Sequence, residues 1–209
     1  FSSNGASGSA LSKYSGRVLE LLADGALNPN FTQEEFDKEK AKIIEGLKAS
    51  EKSVPDVAAR VNDFLTFGKN HPSGEFVSES TIKNVTLADV QANYSNYFVP
   101  SNAYLIIVGD VKFAETKKAV EKLFGSWKKA NAPVQTYAEP KDVPFSQINF
   151  VDMPNAVQSE VAVLNLVNLK MTDPDYFPAL VANQILGGDF NSYLNMNLRE
   201  AHGWTYGAR

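Results

Sequence analysis

Apolar residues recur every three or four positions over long stretches of this 209-residue chain, which is the spacing of one face of a helix. The series predicts helices that begin near Ala10, Thr32, Ser53, Thr86 and Phe113. Three of these starts carry a threonine or serine, whose hydroxyl can cap the free backbone N–H groups of a first helical turn. The pattern therefore predicts a first part of the chain that is rich in capped helices.

Three short apolar runs have a different pattern and are typical of strands. Ala103–Val108 is continuous and rich in Ile and Val, and Ile148–Val151 and Glu160–Val167 have strand length and composition as well. Two more stretches of helical spacing follow, Tyr176–Leu186 and Phe190–Ala201, and each ends at glycine. The whole pattern therefore mixes helices with strands.

Composition changes in residues 131–146, where three prolines stand among polar residues without a helical period. Such a stretch is typical of a linker, so we expect one domain part in residues 1–130 and another in residues 147–209. The chain does not start with Met, and its last residues show no closing element. We therefore expect both ends to be cut and both domain parts to be incomplete.

Overall composition narrows the class of protein only a little. An apolar fraction of 44% and a charged fraction of 21% are ordinary for a globular protein. The net charge of −4 argues against a nucleic-acid partner, which would call for a basic surface. Absence of cysteine excludes disulfides and thiolate chemistry, and no run approaches the roughly 18 apolar residues of a membrane span.

Motifs for metal or nucleophile chemistry are missing from the sequence. The two histidines, His71 and His202, stand in turn-like contexts, and neither has a second His or Cys at a ligand spacing. No GxSxG elbow is present. We therefore expect both histidines to be turn residues, and the acidic residues after Thr32 to form a solvated helix face.

The segment Leu198–Gly207 (LREAHGWTYG) is the best candidate for chemistry. Arg199 lies near a helix end that Gly203 should close, and Tyr206 follows the turn. An Arg side chain can hold a peptide carbonyl or carboxylate, and a Tyr hydroxyl can donate to a developing oxyanion. Taken alone, the residues favour a simpler alternative, in which Arg199 pairs with Glu200 and Tyr206 packs.

Longer motifs link the chain to a known family. Residues 186–208 (LGGDFNSYLNMNLREAHGWTYGA) resemble the C-terminal half-domain signature of the pitrilysin/insulinase zinc peptidases, which bind zinc through an inverted HxxEH motif. Residues 19–47, 71–76 and 86–111 are similar to the N-terminal half of that family, in the same order. The resemblance implies an α+β fold of two related half-domains, each a mainly antiparallel sheet with helices packed on one side.

The resemblance also implies roles for individual residues. In catalytic members, two His and a following Glu hold zinc, which polarises the peptide carbonyl and activates water. An Arg and a Tyr seven residues apart, from another half-domain or subunit, bind substrate and stabilise the tetrahedral intermediate. Arg199 and Tyr206 have this spacing in the matching segment, so we expect them to assist the zinc site of a partner.

The N-terminal half departs from the catalytic pattern at its third ligand. The family pattern places that ligand seven residues after Glu39, where this chain has Gly46. Glu45 is adjacent, but one residue turns a helix by about 100°, so only an alternative register would use it. The HxxEH motif would lie upstream of Phe1. The resemblance thus implies a half that has lost its zinc site and a chain without a cofactor.

We therefore expect a non-catalytic homologue that contributes Arg199 and Tyr206 to a zinc-bearing peptidase subunit of the same family. Its substrate would be an unfolded peptide, and the family favours a bacterial periplasm or cytoplasm. The chain by itself should be inactive. Two alternatives stay open: a catalytic zinc peptidase whose HxxEH lies upstream, and a scaffold without enzymatic function.

Overall fold

A computed structural model describes residues 5–209. Within that range the α-helices are α1 (Ser15–Leu27), α2 (Gln33–Ser50), α3 (Val54–Phe67), α4 (Glu79–Asn84), α5 (Leu87–Tyr97), α6 (Phe113–Phe124) and α7 (Tyr176–Asn183). Tight 3-10 turns occupy Ser12–Tyr14, Pro72–Gly74 and Pro100–Asn102. Two π-helical segments, Gln184–Gly188 and Asn195–Ala201, lie near the end of the described range.

The caps predicted from the sequence are confirmed. The hydroxyl oxygens of Thr32 and Ser53 accept hydrogen bonds from the backbone N–H three residues on, at 3.3 and 3.4 Å. Thr86 and Asp89 form a full capping box, because the Thr86 N–H donates to the Asp89 carboxylate at 2.8 Å and the Asp89 N–H donates to the Thr86 hydroxyl at 3.2 Å. These starts follow from local chemistry alone, which is why the sequence predicts them well.

The predicted sheet, and with it the α+β fold class, is wrong. In the part of the chain that the structure describes, the regular elements are all helical and no strand forms. The runs Ala103–Val108, Ile148–Val151 and Glu160–Val167 have strand composition but no strand pairing, and Tyr104 and Ile148 are 95% and 99% exposed. A strand is stabilised by a neighbour that shares its backbone hydrogen bonds, and a local apolar pattern does not supply one.

The chain divides into two compact units. Unit 1 extends to Pro140 and includes Phe145–Ala162, whereas unit 2 combines Lys141–Pro144 with Val163–Arg209. No helix within residues 5–209 is both long and apolar enough to cross a lipid bilayer.

Helix α1 carries the buried centre of unit 1. Leu19, Ala23 and Ala26 are buried at helical spacing on one face of α1, which packs against α6. The Tyr94 hydroxyl of α5 donates to the Ala26 carbonyl, and the Phe31 ring meets the Tyr94 ring edge-on at 5.3 Å. Partial burial raises the pKa of Tyr94 above its ordinary value. The aliphatic face thus joins α1 to α6, and the Tyr94 side chain joins α5 to the end of α1.

A single lysine links α2 to the end of α4. The Lys40 ammonium donates to the carbonyl oxygens of Lys83 and Val85 at 2.8 and 2.7 Å. The last carbonyls of a helix lack partners within the helix and carry its negative partial charge, so a cation there is stabilising. This contact fastens α2 to the end of α4, two helices that pack against each other.

Candidate functional site

The candidate site is built on the π-helical segment Asn195–Ala201, which carries Arg199. π-Helical turns are rare and often occur at functional sites, because they change the direction of the side chains they carry. Gly203 ends the segment in a left-handed conformation at φ 65°, as the sequence predicts. The N–H groups of Gly203 and Trp204 donate to the carbonyls of Arg199 and Leu198, both at 2.9 Å, and so fix the turn.

The Arg199 guanidinium is held on two sides. Its Nε lies 3.4 Å from the Glu200 carboxylate, and its centre lies 4.6 Å from the centroid of the Phe190 ring. The Glu200 pair is the one that the simpler alternative expected. With 38% of the Arg199 side chain exposed, this pair contributes little energy. Its other guanidinium N–H groups have no hydrogen-bond partner within residues 5–209, so they are available to a ligand.

Tyr206 is presented to solvent. It is 85% exposed, and its hydroxyl has no hydrogen-bond partner among the described residues. The backbone beneath it is held by Thr205, whose hydroxyl donates to the Gly207 carbonyl at 2.9 Å and accepts from the Gly207 N–H at 3.2 Å. Tyr206 therefore does not pack against the other described residues, contrary to the simpler alternative.

Sequence reasoning missed the residue that joins the two sides of this turn. Asn195 is buried, and its side-chain amide bonds to the backbone of Ala208 in both directions, at 2.8 and 2.9 Å. The only sequence signal is an asparagine four residues before Arg199, and the exposed Asn197 gives an equally strong one. Asn195 differs from Asn197 in being buried, and the sequence does not show which of the two asparagines is buried.

The described residues do not fit a zinc ion. The position where the resemblance implies a third ligand is Gly46, and a Cβ added there would meet nothing within 4 Å. Glu45 and Glu39 are exposed on α2 and form pairs with Lys48 and Lys42 at 3.3 and 2.8 Å. No group of three His, Cys, Asp or Glu side chains suited to a metal occurs within residues 5–209. We therefore assign no chemical step to a metal held by these residues.

Both histidines lie at turns, as expected. His71 caps the turn Pro72–Gly74 by accepting a hydrogen bond from the Ser73 N–H at its Nδ1, 3.1 Å away. His202 follows the π-helical segment and stacks on Trp204 at 4.2 Å. Contacts with neighbouring residues therefore explain the positions of both histidine side chains.

Solved structures share this fold. The crystal structure of the peptidase M16 inactive domain from Pseudomonas fluorescens aligns with a TM-score of 0.72 and 20% identity, over 94% of this chain and 47% of that one. The crystal structure of a protease from Helicobacter pylori aligns with a TM-score of 0.69 and 20% identity, over 92% of this chain and 47% of that one. The fold is therefore that of M16-type domains.

The family follows from the sequence itself. The model of the peptidase M16 inactive domain matches residues 84–209, and the chain belongs to that family. This stretch includes Arg199, Gly203 and Tyr206. The resemblance found in the sequence motifs is confirmed.

Two curated relatives match over almost the whole chain. The uncharacterized zinc protease YmxG of Bacillus subtilis (strain 168) is 24% identical, and the non-peptidase homolog YmxG of Helicobacter pylori (strain ATCC 700392 / 26695) is 23% identical, each over 198 residues and 94% of this chain. The chain spans about half the length of these relatives, 47% and 45%. One relative is thus named as a zinc protease and the other as a non-peptidase.

Proposed function

We propose that this chain is a non-catalytic M16 component that supplies Arg199 and Tyr206 to the active site of a zinc-bearing subunit of the same family. The observation that carries the proposal is the turn at Gly203, which is fixed by backbone hydrogen bonds and flanked by two donor side chains with free N–H or O–H groups. Membership of the inactive-domain family and the poor fit of Gly46 to a ligand position support the non-catalytic part.

Arg199 would bind the substrate. A guanidinium offers planar pairs of N–H groups that match a peptide carbonyl or a carboxylate, and these charge-assisted bonds are stronger than neutral ones. Phe190 and Glu200 hold the group on two sides, so less side-chain freedom is lost on binding. Arg199 is therefore suited to orient an unfolded peptide.

Tyr206 would stabilise the transition state. When water attacks a peptide carbonyl, negative charge develops on the carbonyl oxygen, and a donor already aimed at that position lowers the barrier. The zinc of the partner would polarise the same carbonyl and activate the water. Because the Tyr206 hydroxyl makes no bond within the described residues, no internal interaction has to be broken when it donates to substrate.

The test is the variant Tyr206→Phe in the full-length protein, mixed with its zinc-bearing partner and an unfolded fluorogenic peptide. Loss of one donor to the oxyanion should lower kcat by roughly 100-fold with little change in KM. Tyr193→Phe is the matched control, because Tyr193 is a 72% exposed tyrosine of the same unit, and this variant should keep full activity. Unchanged turnover in Tyr206→Phe would rule the proposal out.

A second candidate is a scaffold without enzymatic function, which the name of the Helicobacter pylori relative as a non-peptidase homolog favours. In that case the protein would assemble with its partner but change no rate of peptide cleavage. Addition of the wild-type protein to the partner separates the two candidates, because only the first predicts a gain in kcat.

A further inference from the structure

We infer that Asn195 is the positioning residue of this site: its side-chain amide holds the segment that carries Tyr206 against the helical segment that carries Arg199. This inference rests on the proposed function of the Arg199 and Tyr206 pair. It concerns the way in which two residues on opposite sides of a turn are kept in one arrangement.

One amide group makes the connection. The Asn195 Nδ2 donates to the carbonyl oxygen of Ala208 at 2.8 Å and to that of Asp189 at 3.0 Å, and the Asn195 Oδ1 accepts from the Ala208 N–H at 2.9 Å. A further contact of 3.2 Å joins Nδ2 to the Ser192 hydroxyl. Both backbone groups of Ala208 are therefore paired by a single side chain, as they would be by a neighbouring strand.

Because Asn195 is buried, the loss of these hydrogen bonds costs more than it would at the surface. Asn195 and Ser192 are the buried polar side chains among the described residues, at 8% and 3% exposure. A buried amide that loses its partners pays the full cost of its desolvation, so the native arrangement is strongly preferred over a displaced segment. Exposed hydrogen bonds elsewhere in the unit cost less to break, because water can replace the lost partner.

A glycine secures the same segment from a second direction. Gly187 is buried, and a Cβ at this position would lie 3.1 Å from the Arg209 Cα and 3.0 Å from Leu194 Cδ1. The backbone of Arg209 therefore passes directly over a residue that has no side chain. Two successive residues, Ala208 and Arg209, are held by independent contacts.

The consequence is a backbone that is held on both sides of Tyr206. Asn195 opens the π-helical segment and Arg199 lies four residues further along it, while Ala208 lies two residues after Tyr206. The hydrogen bonds between Asn195 and Ala208 thus close the loop that begins at the Gly203 turn. Misplacement of a catalytic group by about 1 Å can cost up to about 100-fold in rate, so a loop closed at both ends is worth more than one closed at the turn alone.

The test uses Asn195→Asp in the full-length protein. This change keeps the size of the side chain and an acceptor for the Ala208 N–H, but it removes both N–H donors and places a carboxylate against the Ala208 carbonyl. We expect faster hydrogen exchange of the backbone amides of residues 205–208, and a fall in kcat of roughly 10-fold or more in the peptide assay with the partner. Asn197→Asp is the matched control, because Asn197 is exposed on the same segment and should change neither quantity.

A double variant separates positioning from general damage. If Asn195 acts through Tyr206, Asn195→Asp should lower kcat in the wild type and cause no further loss in a Tyr206→Phe background. An equal loss in both backgrounds, or unchanged exchange of the Ala208 amide, would overturn the inference. If Tyr206→Phe alone leaves cleavage unaltered, the proposed function fails. The exchange measurement alone then decides whether Asn195 holds the segment that carries Tyr206.

Gly187→Ala provides a second variant that leaves the side chain of Asn195 unchanged. The added methyl group would push against the Arg209 backbone, so the same rise in exchange of residues 205–208 is expected. Circular dichroism and the melting temperature show whether either variant remains folded. A folded Gly187→Ala protein with unchanged exchange at 205–208 would contradict the role of this contact in holding the segment.

Discussion

Arg199 and Tyr206 differ in the side-chain contacts that they make within the described residues. Arg199 already touches Glu200 and Phe190, whereas Tyr206 has no side-chain partner among the described residues. Removal of the Arg199 charge should therefore affect substrate binding more than the chemical step. We expect Arg199→Gln in the full-length protein, assayed with the partner, to raise KM by about 10-fold, which is the scale of one charge-assisted hydrogen bond.

The control for that prediction is Glu200→Gln, which removes the internal partner of Arg199 but leaves the guanidinium intact. KM should stay the same or fall, because the guanidinium is then less occupied. A large drop in kcat for Arg199→Gln at constant KM would assign Arg199 to the transition state instead of to substrate binding.

Asp89 gives a residue-level prediction for unit 1. Hydrogen bonds from the side chain and the backbone of Thr86 hold the pKa of the Asp89 carboxyl below its ordinary value. A pKa that is lower in the folded chain means that the carboxylate stabilises the fold above the unfolded pKa and loses this effect as pH falls through the folded pKa. The melting temperature of Asp89→Asn should therefore lie below that of wild type at pH 7, and the gap should narrow as pH falls below the ordinary pKa of an aspartate, about 3.9.

Asp56→Asn is the control, since Asp56 holds the same third position of helix α3. There the Ser53 hydroxyl accepts from the Asp56 N–H, and no return bond from the Asp56 carboxylate occurs within the described residues. At pH 7 Asp56→Asn should lower the melting temperature less than Asp89→Asn does. A gap for Asp89→Asn that is constant from pH 7 to pH 3 would contradict the capping box.

At the scale of elements, α2 carries a glycine at the position where the family resemblance implies a metal ligand. Gly46 lies inside a long helix, where glycine loses more backbone freedom on folding than alanine does. An added Cβ would meet nothing within 4 Å. Gly46→Ala should therefore stabilise the protein by about 0.5–1 kcal/mol in urea unfolding, without a change in the slope of the transition.

Gly68→Ala offers the opposite expectation, because Gly68 follows α3 with φ at 77°, a conformation that alanine adopts only with strain. It should destabilise the protein. If Gly46→Ala were neutral or destabilising, the face of α2 around Gly46 would have to be covered in the full-length protein.

Elements also differ in how well the sequence predicts them. The starts of α2, α3 and α5 depend on a hydroxyl and an N–H three residues away, and the sequence places all three correctly. The strand composition of Ala103–Val108 and Glu160–Val167 leads to a wrong prediction, since strands need a distant pairing partner that local composition does not specify.

In the candidate site, too, local features are predictable from the sequence and those that depend on distant contacts are not. Gly203 closes its helical segment as the sequence predicts, because a helix end and a glycine are local signals. The π-helical geometry of Asn195–Ala201 and the bonds between Asn195 and Ala208 involve residues up to 13 positions apart, and burial decides them. No pattern within one helix turn carries that information.

At the scale of the whole molecule, family membership is shown and activity is proposed. The chain belongs to the M16 inactive-domain family but spans about half the length of the curated relatives it matches. Its described residues offer no metal-binding cluster, whereas its unit 2 presents an arginine and an exposed tyrosine beside a fixed turn. This combination is the reason we propose an assisting role beside a zinc-bearing subunit.

The most direct measurement is a reconstitution with the zinc-bearing partner, followed by cleavage of an unfolded peptide. Three samples are compared: the partner alone, the partner with the wild-type full-length protein, and the partner with the Arg199→Gln, Tyr206→Phe double variant. Size-exclusion chromatography confirms that both forms bind the partner. We expect high turnover only with the wild-type protein. Equal turnover with the double variant, or cleavage by the full-length protein alone with one zinc per chain, would contradict the assisting role.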